Sequence, residues 1–300
     1  MIGDDNSLRP VALARNLASR SPVTPLPSWV PDWTGVEFLL LMHENGNHGT
    51  EVRLDIPGNV GFSANGLVLS ARGTVCDVVS VLQSTWTLQY WREPDQLCNA
   101  IQDIFLPNGF SIMRAVFHLL VLNPEPSLDG LSKEQAEVYM IKAVAFLRLL
   151  VHNTYSASEQ KLRITELSLI MFGQKNPACL GMIDRFFPDS PDGRAAAIFH
   201  ARDTQRRLEG IGQSFLIRSL AMVRNRVFFE TENGTLGIGP EDVRVGDVVF
   251  NPPGYCGYFV LRPVEKHYVL VGEGGIFAPL AKLGDLSMRG GHRLCMIDIW

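Results

Sequence analysis

Long apolar runs are missing from this 300-residue chain. Stretches such as Phe38–Met42 and Ala143–Leu147 reach five residues, against the roughly 20 that a membrane helix needs. An excess of positive charge is missing too. Lys and Arg total 27 against 31 Asp and Glu, a net charge of −4, and no basic tail or stripe is present. That removes the electrostatic footprint expected of a nucleic-acid binder. The opening MIGDDNSLRP is polar and acidic, where a secretion signal would be basic and then apolar. Cysteine is sparse: Cys76, Cys98, Cys179, Cys256 and Cys295 are odd in number and scattered, with no C-x-x-C pair. Reduced thiols in a cytoplasmic, membrane-free protein are the expectation. There is no internal repeat and no low-complexity tract. What is present is a folding composition, 46% hydrophobic and 19% charged, with 27 Gly and 18 Pro to supply turns.

Residues 1–24 carry little periodicity and read as a tail, with at most a short helix at Val11–Leu17. Pro25, Pro27 and Pro31 then enforce an extended strap, because proline fixes its own φ and restrains the residue before it. Trp29 and Trp33 on that strap are expected to dock on a core. Residues 35–60 read as loop. Leu67–Val75 and Val78–Leu82 are rich in aliphatic and β-branched residues and read as one or two strands. Further on, Ser132-Lys133-Glu134-Gln135 has the form of a capping box. Behind it Tyr139, Met140, Ala143, Val144, Leu147, Leu150 and Val151 recur at helical spacing. Ser156–Glu159 repeats the capping pattern before another helix. Weaker helical patterns cover 95–105, 110–121 and 177–186, and Asp192 caps a long one towards Asn225, strained at Gly210 and Gly212. After Asn225 the texture becomes β. Val227–Thr231, Asn233-Gly234 and Thr235–Ile238 predict a hairpin with a type I′ turn. Short strands are expected at Val243–Val245, Asp247–Phe250, Tyr258–Leu261, His267–Val271 and Met296–Trp300.

Two stretches carry a resemblance. The first is Pro27-Ser28-Trp29-Val30-Pro31-Asp32-Trp33. The second runs from Arg226-Val227-Phe228-Phe229-Glu230-Thr231 through Asn233-Gly234-Thr235-Leu236-Gly237-Ile238-Gly239-Pro240. It continues through Val245-Gly246-Asp247-Val248-Val249, Phe259-Val260-Leu261-Arg262-Pro263 and Tyr268-Val269-Leu270-Val271-Gly272-Glu273. In order and spacing they resemble the region downstream of the HET domain in fungal heterokaryon-incompatibility proteins, over about residues 25–280. Gly274-Gly275-Ile276-Phe277 departs from the family's usual continuation. The HET domain itself, regarded in the family as the trigger of cell death between incompatible strains, would stand upstream of Pro25, where 24 residues are found. The resemblance therefore implies the regulatory or recognition portion of such a protein, acting with a protein partner. The motif residues it marks are Trp29, Pro31, Asp32, Trp33, Gly234, Gly246, Asp247, Arg262, Pro263 and Glu273.

Chemical constellations are weak beside it. His43, Glu44 and His48 could hold zinc, but the loop spacing lacks a second ligand pair, and no metal is expected. His118, His152 and His200 lie in helical segments without a sequence-adjacent acid to orient them. No G-x-S-x-G elbow occurs. Gly234–Gly239 and Gly272–Gly275 have the glycine density of a phosphate loop without the following helix. Arg202, Arg206 and Arg207 form a basic cluster that reads as a solvated face. Arg262, set in apolar strand alternation, needs a partner, and an ion pair with Asp247 or Glu273 is the preferred reading. Arg262 and the loop thiol Cys256 are the two positions from which a ligand contact could come.

The expected fold is α+β, a central bundle of about five helices with a C-terminal small antiparallel β-barrel or sandwich. The division is a 1–24 tail, a 25–92 strap with strands packing on the C-terminal module, a 93–225 helical domain and a 226–300 β-rich module. The expected function is non-self recognition without catalysis and without a cofactor. The alternative is an enzyme of fungal secondary metabolism, a cyclase or isomerase whose apolar pocket would take a small-molecule ligand.

Overall fold

The switch in texture at Asn225 coincides with a switch in architecture. The computed structural model describes residues 60–62, 68–83, 94–102, 104–107, 109–121, 132–151, 157–173, 176–187, 195–252, 257–277 and 295–300. The Trp29/Trp33 strap, the His43–His48 loop, His152 and Cys256 lie outside them. The protein is α+β, with helices and one large, mainly antiparallel sheet. It divides into a helical unit within Thr85–Arg224 and a β unit from the described parts of Met1–Ser84 and Asn225–Trp300.

The helical unit contains α1 (Pro94–Ile101), α2 (Ile112–Val121), α3 (Lys133–Val151), α4 (Ala157–Phe172), α5 (Pro177–Phe186) and α6 (Ala195–Val223). Helix α3 starts where the capping residues stand: the Gln135 amide N–H donates to Ser132 Oγ at 3.2 Å, and Ser132 N–H donates to Gln135 Oε1 at 2.9 Å. These reciprocal bonds satisfy two donors that the first helical turn leaves open. The predicted stripe from Tyr139 to Val151 is buried, and α3 packs against α1, α2, α4, α5 and α6. Asn176 caps α5, its Oδ1 accepting from Cys179 N–H at 3.1 Å, with Pro177 in the first turn. The 95–105 pattern ends earlier than expected: α1 stops at Ile101, and beyond it Phe105 pairs with Ser111 in an isolated bridge. Gly210 and Gly212 do not interrupt α6.

In the β unit, β2 (Leu69–Gln83) is a single strand of 15 residues. Its first part pairs with β1 (Val60–Phe62) and β8 (Cys295–Ile299). Its later part pairs with β5 (Val248–Asn251) and β3 (Arg226–Thr231). Register shifts between Val75 and Asp77 and between Val79 and Val81 accompany the change of partners, as bulges bend a strand and increase its twist. The order continues from β3 through β4 (Leu236–Pro240), β7 (His267–Phe277) and β6 (Tyr258–Val264) to β5, which returns to β2. Two apolar clusters result. One gathers Leu69, Ala71, Phe250, Phe259, Leu261, Leu270, Ile297 and Ile299. The other gathers Val79, Phe229, Val243, Val249, Val260 and Val271.

Three expectations are corrected. The β3–β4 hairpin forms, but Gly234 (φ 69°) alone carries the left-handed backbone among its turn residues, and Asn233 does not. Gly234 N–H donates to Thr231 O and Thr231 N–H to Thr235 O. This is a three-residue loop ending in a glycine bulge rather than a type I′ turn. Val243–Val245 is a turn rather than a strand, with Val243 N–H donating to Pro240 O and Val245 exposed. Strand β7 runs on through Gly274-Gly275-Ile276-Phe277, which pair with β6 and β4. Its glycines carry no β-forming side chain, yet the ladder on both edges fixes them as strand.

Candidate functional site

A buried polar arrangement in the β unit is built around the motif residues. The turn Arg244–Asp247 closes with Asp247 N–H donating to Arg244 O at 3.1 Å, and Gly246 (φ 91°) sits at its third position. A residue with a Cβ is strained at that φ, so the turn requires glycine. The turn is tied to β2 in both directions: Gly246 N–H donates to Val79 O at 2.9 Å, and Val79 N–H donates to Asp247 O at 2.8 Å. Asp247, whose side chain is 2% exposed, points back into it. Its Oδ2 accepts from Arg244 N–H at 2.8 Å and from an Arg262 terminal nitrogen at 2.9 Å, while its Oδ1 accepts from Arg262 Nε at 2.9 Å. A third bond from Arg262, from the same terminal nitrogen, reaches Asp242 O at 2.6 Å. Of the two acids weighed for Arg262, the geometry selects Asp247. Glu273 is buried, and its backbone carbonyl accepts from Arg226 at 2.9 Å. Pro263 is exposed on β6 opposite Tyr268, where its missing N–H costs the ladder little.

The glycines of β4 have a packing role that turn chemistry does not reveal. Gly237 stands opposite Phe229, and a Cβ there would fall inside the Phe229 ring. The Gly-x-Gly rhythm lets an aromatic ring lie flat across the strand.

The helical unit holds a polar cluster that sequence reading did not assemble. Tyr139 on α3 and His118 on α2 are both buried, with the hydroxyl and Nε2 3.0 Å apart. The Arg114 guanidinium, one turn before His118, lies 4.6 Å from the Phe110 ring centroid. Burial lowers its pKa. Burial also raises the Tyr139 hydroxyl well above the ordinary tyrosine value and pushes the Cys179 thiol up to about 12. Such a set keeps its hydroxyl and thiol protonated and sealed from solvent, which suits a buried core node more than a reacting centre. His118, which the sequence places only in a helical segment, is therefore a core residue.

A cavity of about 290 Å³ opens between α3, α5 and α6. Ala145, Leu149, Phe186 and Leu216 give it an apolar lining, with Arg148, Glu209 and Gln213 adding polar groups. The helices approach closely there: a Cβ on Gly212 would lie 3.1 Å from the Ala145 Cβ. No spacing signal marks this site, because its parts come from three helices distant in sequence. Of the basic cluster, Arg206 and Arg207 are exposed, and Arg207 lies 3.9 Å from Glu134. The side chains of Arg202 and His200 lie outside the described residues. Among the described residues no group of three or more His, Cys, Asp and Glu could hold a metal, and no helix is long and apolar enough to cross a membrane. No protein-family model, no curated protein and no solved structure matches the chain.

Proposed function

We propose that the chain is a recognition protein of the fungal incompatibility type, cytoplasmic, working through a protein partner rather than by turning over a substrate. One observation carries this reading beyond the sequence resemblance. The charged and turn-forming residues of the C-terminal motif are engaged in shaping the β unit: Arg262 and Asp247 bind each other and the 240–247 turn, and Gly246 and Gly234 close turns. A motif engaged in this way maintains a surface rather than a reaction. The strand circuit from β2 through β3, β4, β7, β6 and β5 back to β2 is then a small barrel serving as a rigid platform, and the helices form a bundle.

The test is to produce the full chain in a filamentous fungus, cross-link it in the cell and identify what is captured. The purified partner is then titrated against the purified chain by calorimetry. Saturable one-to-one binding is expected. Robust turnover of a small organic substrate by the purified chain, with no such binding, would sink the reading in favour of a cyclase- or isomerase-type enzyme. The cavity between α3, α5 and α6 is the feature that supports that second reading.

A further inference from the structure

The charges around the helical cavity are arranged unlike those of an ordinary solvated face. Arg148 is half-buried on α3, its guanidinium 5.7 Å from the Phe187 ring centroid, and no described carboxylate forms an ion pair with it. Lys142, two turns before Leu149, shares the face of α3 that carries Ala145 and Leu149. Its pKa is lowered by burial and, secondarily, by the charge of Arg218 on α6. Two like charges thus face each other across the same helix pair that carries the cavity. Glu209 and Gln213 complete the rim. A cation over an aromatic ring beside an apolar hollow retains unused donors, and an anion with an apolar body satisfies both features at once.

We propose that this cavity binds a small organic anion, its charged group against Arg148 and its apolar body over Ala145, Leu149, Phe186 and Leu216. The cavity's volume of about 290 Å³ is near the lower end of ligand pockets, roughly 300–1,000 Å³. That fits a short acyl chain or one or two rings better than a peptide. The site stands on the helical unit alone and does not depend on the partner reading above.

The probes are decanoate and its uncharged counterpart decanol, titrated calorimetrically into the full chain. Saturable one-to-one binding of decanoate is expected, with decanol weaker. Arg148→Gln should weaken decanoate by about fivefold, the upper range for one partly exposed charge contact, and leave decanol nearly unchanged. Arg148→Lys should retain most decanoate binding. Gln213→Trp, at an exposed rim position that tolerates a larger side chain, should plug the cavity and weaken both probes. Circular dichroism checks that each variant keeps its helical signal. Absence of saturable decanoate binding, decanol binding as tightly as decanoate, or decanoate binding untouched by either Arg148→Gln or Gln213→Trp would each overturn the proposal.

Discussion

In the β unit Arg262 lies against both carboxylate oxygens of Asp247 and a backbone carbonyl. In the helical unit Arg148 borders a cavity with no described carboxylate in ion-pair contact with it. Both units contain half-buried cations, so burial alone does not explain the difference. A strand circuit has to hold irregular turns against β2, and a bidentate Arg–Asp pair fixes a turn's position and orientation together. Packed helices need no such tether, because their backbone groups are satisfied internally and their caps are local. Charges on the helical unit are therefore free to face outward. The contrast predicts unequal responses to removing a charge.

The largest effect is expected from Asp247→Ala. It leaves the Arg262 guanidinium half-buried and opens the Arg244 N–H, a loss of about 3–5 kcal/mol for one member of a buried pair. Arg262→Met combined with Asp247→Leu should recover part of that loss, because no charge is then left unpaired. Arg148→Gln should shift stability by less than about 0.5 kcal/mol, as for an ordinary surface change. Native-state hydrogen exchange read separately over 226–277 and 133–186 distinguishes the units. Equal losses from Asp247→Ala and Arg148→Gln would abolish the contrast.

Next in size is Gly237→Val. Its side chain meets the Phe229 ring, and overpacking of this kind costs about 1–3 kcal/mol. Combining it with Phe229→Leu should relieve much of the clash. Urea midpoints for the two single variants and the double decide it.

Alkaline pH probes a feature the two units share. The Cys179 thiol stands at about 12 when folded against 9.0 for the ordinary group, and Cys76 in the β unit at about 11. Unfolding lets each thiol ionise earlier, so the unfolded state binds fewer protons between the two values. The stabilisation is fully present below pH 9 and is lost as pH rises through the folded values. The slope is at most about 1.4 kcal/mol per pH unit for each fully released proton. Cys179→Ala should flatten that slope over 133–186 between pH 9 and 11 and leave the 226–277 slope alone.

The helical unit was legible where local chemistry decides the outcome. Ser132 and Gln135 announce a helix start, and Tyr139 to Val151 announce a buried face; Ser132→Ala should cost about 1 kcal/mol, measured by the same urea midpoints. The β unit was legible at Asn233-Gly234 as a hairpin, and Arg262 showed its need for a partner. Val243 and Val245 misled because β-branched alternation looks the same in a strand and in a turn that buries one of its two valines. Gly274-Gly275 misled in the other direction, since ladder bonds on both edges leave no trace in side-chain pattern. The helical cavity gave no local signal, because Ala145, Phe186 and Gly212 meet only once three helices have packed.

The smallest effect tests how far the β unit depends on its turns. Val264 pairs with His267, leaving Glu265 and Lys266 as a two-residue loop, and Glu265 adopts a left-handed φ of 49°. A side chain pays for that conformation in steric energy that glycine avoids, so Glu265→Gly relieves strain where most glycine substitutions loosen a fold. Greater freedom of the unfolded chain offsets part of the gain. The expected result is a stabilisation of a few tenths of a kcal/mol, up to about 1, read as a higher urea midpoint with protection rising over 258–277 and unchanged over 133–186. A matching control stands at Asn225, the first residue of the β unit after the helices, whose φ of 57° follows the end of α6. Asparagine tolerates this conformation at a helix C-terminus better than glutamate does in a hairpin. Asn225→Gly should therefore gain less than Glu265→Gly. A larger gain at Asn225 would mean that strain is concentrated at the passage from helix to strand rather than in the hairpins of the β unit.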